Sequence, residues 1–288
     1  QNNEPVLRND KALDFEATPA RNRLLVLWNS RSPVLADLRV RQALALATDR
    51  RALVADLLEG RGRLVEGVFP PGTWLNQKLS AAAPDLAQAE KLLAEAGWFR
   101  DVSGVARSAQ RALDIQFLIT EGNPWRRRLA EALARQWTRI GARVTVTDVN
   151  AHEWIGERLR PGRFDAALLG MDFDLHWDQR LFWHSAGIED GMNFAGIADA
   201  QLDLLLEALA AEYDPSRVAA RAREMESRLL SLHAFIPLFG DLQQVAIRRR
   251  RFPDPPQNPA GLRLRDWLRQ GPAQPSAPVE FQMIMPDE

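Results

Sequence analysis

Residues 163–196 read RFDAALLGMDFDLHWDQRLFWHSAGIEDGMNFAG. The run 164–169 is apolar apart from Asp165. That length and composition suit a strand covered on both faces, as in a parallel sheet flanked by helices. The run stops at Gly170-Met171, and carboxylates, histidines and aromatic residues then crowd positions 172–184. In an open α/β sheet, ligands sit beyond the carboxyl ends of the strands. Function is therefore expected where this strand discharges into Asp172, Asp174, His176, Trp177 and Asp178.

Working upstream, residues 144–149 alternate as a strand and residues 152–159 suit a short helix. Residues 124–140 read as a helix with Leu129, Leu133, Trp137 and Ile140 at near 3-4 spacing, ended by Gly141. Residues 113–119 form a further strand. The order β-α-β-α-β closes most simply as a parallel sheet with right-handed crossovers. Residues 24–28 (LLVLW) are another buried-strand candidate, broken by Asn29-Ser30-Arg31-Ser32-Pro33. Asp37 and Asp49 suit N-caps of two successive helices, and Pro84-Asp85 starts a third that Gly97 closes. Downstream, helices are expected at 199–211 and 215–232, and strands at 235–239 and 243–247. The expected fold is thus α/β, a mostly parallel sheet flanked by helices.

The balance of 37 basic and 38 acidic residues gives a net charge of −1, which argues neither for nucleic acid nor for an anionic membrane, and no nucleic-acid partner is expected. With no cysteine, this chain has no disulfide, thiolate metal site or cysteine nucleophile. No apolar run approaches the ~18 residues of a membrane span. Arg248–Arg251 precede a Pro-rich loop and read as a solvated run. His152 and His233 sit at helix flanks, as surface or satisfied core residues do.

Two chemical readings compete for the carboxylate-rich segment. Asp172, Asp174, His176, Asp178 and His184 are all competent metal ligands. Alternate positions on an irregular segment do not converge by themselves, and no H-x-x-x-H pair is present, so no metal or cofactor is expected. Asp172-Phe173-Asp174 at the end of an apolar strand resembles the nucleophile motif of haloacid-dehalogenase-type phosphotransferases. There the first Asp attacks phosphorus and the second is the acid/base, with Mg2+ between them. Here the motif lies past the middle of the chain, and His176 stands where Thr or Val is wanted. An Mg-dependent phosphohydrolase is kept as an alternative, beside a stand-alone interaction module.

A series of motifs, in order, resembles the extracellular solute-binding proteins of family 5, the peptide- and nickel-binding receptors of ABC transporters. They are LRVRQAL followed by ATDR at 38–50, FPPG at 69–72, AEKLLAEAGW at 89–98, GRFDA with Gly170 at 162–170, and IPL at 236–238. The resemblance covers residues 24–267. It implies no catalysis, a periplasmic location, and capture of a peptide or similar small solute for delivery to an ABC permease. It also implies that this chain is the second lobe of a type-II-like receptor, with its first lobe missing. On that view residues 1–23 are a lead-in and 24–240 the solute-binding lobe. Residues 241–270 would return to the first lobe, and 271–288 form a flexible tail. The resemblance assigns Asp174, with Asp172 beside it, to a ligand ammonium, since a charge-assisted bond is roughly twice as strong as a neutral one. Met171 and Trp177 are expected to line a pocket, and Asn193, Phe194 and Asn29 to lie at the cleft. Loss of the first lobe should bare this face and favour self-association through it.

Overall fold

The structure, a computed structural model, describes residues 13–58, 62–69, 74–75, 77, 83–172 and 177–248. The readings made for residues 249–288 lie outside them. The chain divides into two compact units, Pro19–Leu242 on the one hand and Gln1–Thr18 with Gln243–Glu288 on the other. In order, the elements are β1 (Leu13–Trp28), α1 (Leu38–Leu46), α2 (Arg50–Leu58), β2 (Arg63–Leu64) and α3 (Leu86–Glu95). Next come β3 (Phe99–Arg100), β4 (Ala106–Arg107), β5 (Asp114–Thr120), α4 (Pro124–Thr138) and β6 (Arg143–Val149). The chain continues through α5 (Ala151–Glu153), a π-helical turn (Trp154–Leu159), β7 (Ala166–Asp172) and α6 (Arg180–Trp183). Last are α7 (Ala200–Ala210), α8 (Pro215–Ser231) and β8 (Phe235–Arg248).

The β5-α4-β6-α5-β7 run forms as expected. β5 pairs in parallel with β6 on one side and β7 on the other. The expectation of a mostly parallel sheet needs correction, because the six-stranded sheet is mixed, in the order β2-β8-β1-β7-β5-β6. β1 runs antiparallel to β7, with Trp28 opposite Ala166 and Arg23 opposite Met171. An apolar run reads alike in either direction, so composition carries no sign of this. β1 also begins at Leu13, well inside the segment expected as a lead-in. The two strands expected at 235–239 and 243–247 are one strand, β8.

Residues 24–28 are continuously apolar because both faces of β1 are covered. Leu24, Val26 and Trp28 pack with α1 to α4, while Leu25 and Leu27 pack with α7 and α8. Ala166 and Leu168 of β7 join the first group and Ala167 the second. Each such Leu or Val contributes roughly 1.5–3 kcal/mol by leaving water. Trp137 of α4 lies 5.1 Å from Trp28 and 5.3 Å from Phe117, and its indole N–H donates to Thr48 Oγ1 at 2.9 Å.

The Asp caps form as the sequence implies. Asp37, Asp85, Asp199 and Asp214 accept first-turn N–H groups of α1, α3, α7 and α8. Gly97 and Gly141 close α3 and α4 at φ 83 and 90, a conformation that suits glycine. Arg41, in the LRVRQAL motif, is buried and donates to the carbonyls of Leu35, Ala36, Leu232 and His233. It thereby ties the turn before α1 to the end of α8.

Candidate functional site

β5, β6 and β7 are parallel, so their carboxyl ends share one edge of the sheet. The segment after each strand decides what that edge presents. After β6, Asn150 caps α5 by accepting the Glu153 N–H at 2.9 Å. The helix expected at 152–159 then widens into a π turn, with the Arg160 N–H donating to Ile155 O at 3.0 Å. Such turns place one extra residue in the coil and recur at functional sites. Trp154, Ile155 and Leu159 face a cavity of about 150 Å3. β7 adds Leu169, Gly170 and Met171 to its lining, and β1 adds Leu27. Phe182 and Trp183 of α6 and the loop residues Met192, Phe194 and Ala195 complete the wall. Every lining side chain is apolar. Such a surface suits an aliphatic or ring-bearing group, and orientation must come from polar groups around it.

Of the residues expected to form the site, Met171 and Phe194 line this cavity. Trp177 is half-buried beyond the end of β7, its ring 6.4 Å from that of Trp74 in an edge-on arrangement. Asn193 is fully buried. Its amide donates to the carbonyls of Trp183, His184 and Ile197 and accepts the Ile197 N–H. It thus fixes the loop that presents Met192 and Phe194. Asp172 ends β7, but its side chain, like all of Asp174 and His176, lies outside the described residues.

Asn29 requires a correction. Placing it at this edge presumed that β1 runs parallel to β7. Because β1 is antiparallel, Asn29 falls beside Asp165, and its N–H donates to that residue's carbonyl at 2.8 Å. From Ala166 to Met171 the strand rises about 17 Å, so Asn29 is at the opposite end of the sheet. Its amide donates to Gly162 O and Phe164 O and accepts from the Arg31 N–H and Nε–H. Nearby, Asp165 accepts from the Ser32 hydroxyl and the Gln116 N–H. These groups hold the turn after β1 against the start of β7.

Trp154, Ile155, Leu159, Phe182 and Met192 were not singled out from the sequence. The rule that directed attention to the end of β7 applies equally to the end of β6, and would have found the first three. Among the described residues, no group of three or more His, Asp or Glu could hold a metal ion. No helix among them is long and apolar enough to cross a membrane.

Helices cover both faces of a mixed sheet, and an apolar cavity lies on its α7/α8 face beside the second half of β7. The chain belongs to the bacterial extracellular solute-binding proteins, family 5, whose middle region matches residues 1–192. It is similar to the oligopeptide-binding protein AppA of Bacillus subtilis, at 30% identity over 220 residues, or 69% of this chain and 40% of that protein. The structure of AppA in complex with a nonapeptide matches with a TM-score of 0.77 and 22% identity, over 89% of this chain and 52% of the other. NikZ from Campylobacter jejuni, in complex with Ni(L-His), matches with a TM-score of 0.73 and 22% identity, over 86% of this chain and 50% of the other. The chain therefore spans about half the length of these relatives. Membership of a solute-binding family displaces the phosphohydrolase alternative.

Proposed function

We propose that this chain is the second lobe of a two-lobe, extracytoplasmic solute receptor serving an ABC-type importer. It captures a peptide or similar small solute without chemical change and presents it to a membrane permease. One observation carries the reading. In a family 5 chain, an apolar cavity of a size to take one side chain lies on the α7/α8 face of the sheet, beside the second half of β7 and the π turn that follows β6. The likeness to AppA, whose structure contains a nonapeptide, supports a peptide over other solutes. On this reading Met171 and Phe194 bound the side-chain pocket, Trp177 flanks it, and Asp174 with Asp172 pairs with the ligand ammonium.

A solute held by one lobe stays half exposed while most of the cost of immobilising it remains. The isolated chain is therefore expected to bind a tripeptide such as trileucine at a Kd on the order of millimolar or weaker. Titration calorimetry, with NMR for the weak limit, measures this. Micromolar binding by the isolated chain would overturn the assignment as half a receptor. Resonances of Met171 and Phe194 left unmoved at saturating trileucine would overturn the assignment of the pocket.

A further inference from the structure

Two opposite charges are buried close to this edge. Arg23 of β1, opposite Met171 in the ladder, is 3% exposed, and Glu226 of α8 has no exposed surface. Both hold the same short stretch, Gly67-Val68-Phe69. Arg23 Nη1 donates to the carbonyls of Val68 at 2.7 Å and Gly67 at 3.4 Å. Glu226 Oε1 accepts the N–H groups of Val68 at 2.7 Å and Phe69 at 3.3 Å. Val68 is thus gripped through both of its backbone polar groups. Gly67 is required for this approach, because a Cβ there would overlap the Glu226 carboxylate.

Burial is unfavourable to both charges. It lowers the Arg23 pKa to about 10, with Glu226 pulling the other way. It also raises that of Glu226 against the opposing pull of the two N–H groups, Gln77 and Arg23. Both charges are retained against that cost by the backbone groups they satisfy, which an apolar pair would leave without partners. What the charges add is a fixed place for the backbone between them.

The same stretch of chain leads on to an exposed aromatic residue. A few residues beyond Phe69, Leu75 is buried in the core on the α8 face. The Gln77 amide donates to Arg223 O of α8 at 3.1 Å. Trp74, one residue before Leu75, is 54% exposed and meets Trp177 beyond the end of β7. We propose that Arg23 and Glu226 are positioning residues which, through Val68, seat Trp74 against Trp177 and make this pair a wall of the solute site. The proposal rests on reading this edge as the site.

The test begins without solute. Indole N–H resonances of Trp74 and Trp177 are assigned with W74F and W177F, and the Trp177 resonance reports the contact. R23M/E226L removes both charges at similar volume, G67A keeps both charges but displaces the carboxylate, and E226Q keeps the acceptor. In R23M/E226L and G67A the Trp177 resonance should move to its W74F position in chains that still fold, with a lowered melting temperature. E226Q should leave it in place. If R23M/E226L does not fold, G67A alone decides. A folded G67A with an unmoved Trp177 resonance overturns the proposal, and so does loss of the contact in E226Q.

Trileucine is then titrated by NMR into the parent chain and G67A, with binding expected to weaken about tenfold, as for one lost aromatic contact. Equal binding after loss of the contact removes the wall from the site and overturns the proposal while the pocket stands. A parent whose resonances ignore trileucine overturns the pocket itself, a failure the solute-free result keeps separate.

Discussion

Arg41→Met should cost this fold about 3–5 kcal/mol, because it strands buried carbonyl groups at roughly 1–3 kcal/mol each and not all of them can find another donor. Arg41 is 4% exposed, and burial lowers its pKa, with Asp37 opposing. Its guanidinium donates to Leu35 O at 2.6 Å, Ala36 O at 3.0 Å, Leu232 O at 2.9 Å and His233 O at 3.1 Å. A charged hydrogen bond contributes roughly 1.5–3 kcal/mol, and the four are not additive because they share one buried cation. Methionine fills similar length and removes the burial cost of the charge, but it leaves four carbonyls to find other donors. His233 sits at φ 45, the left-handed conformation that ends α8, so the cap cannot simply relax into another turn of helix. With a urea slope of roughly 2–3 kcal/mol/M, the midpoint should fall by about 1–2 M at unchanged slope. Arg41→Lys should recover only part of this, since an ammonium is a point donor rather than a fork. A midpoint within about 0.3 M of the parent would refute the view that Arg41 ties the start of α1 to the end of α8.

The Glu226 carboxyl is held above its ordinary pKa, so the folded chain binds its proton more tightly than the unfolded chain. The stability it confers is complete below the unfolded value of about 4.3 and is lost as pH rises through the folded value. Denaturation of parent and E226Q across this window should therefore diverge towards acid by up to about 1.4 kcal/mol per pH unit, and parallel curves would exclude it. The comparison cancels His233, whose pKa burial lowers in both. Ala195→Leu projects into the cavity, so it should preserve the melting temperature and abolish the trileucine shifts. Unchanged binding would mean that the solute lies elsewhere. Trp74 and Ile155, 54% and 42% exposed near the same edge, should support self-association, seen as a rise in mass by light scattering at millimolar chain and absent in W74R.

The sequence exposed what two-faced burial writes into it. Residues 164–169 and 24–28 are apolar without alternation because helices cover both sides of β7 and β1, and the Asp caps and closing glycines bracket the helices. Strand direction leaves no such mark, since LLVLW buries the same surface whichever way it runs. That is why Asn29 was expected at the wrong edge. The π turn was also silent, because its extra residue changes hydrogen bonding without changing residue type. The site was legible only where one strand pointed to it. Met171 and Phe194 belong to that strand and its following loop, whereas Trp154 and Leu159 come from the neighbouring crossover. Asn193 was expected at the cleft as a polar contact, but it is fully buried and its four hydrogen bonds are spent on the loop.

The cavity's chemistry bears on how such a lobe must work. Burying one aliphatic or aromatic side chain gains roughly 1.5–3 kcal/mol. One charge-assisted hydrogen bond to an ammonium adds roughly 1.5–3 kcal/mol. Together they fall near the 4.1 kcal/mol of a millimolar complex, before the cost of immobilising the solute is counted. A single apolar pocket also distinguishes side chains that differ by one methylene only by roughly 1–3 kcal/mol. Tight capture therefore requires a second surface to close over the solute, and that surface would double the buried area while adding little further loss of rotational freedom. An edge that combines an apolar cavity with an aromatic wall held by buried charges is suited to be one half of such a closure. It supplies a rigid, preorganised wall, so that the energy gained on closing goes into affinity rather than into ordering the site.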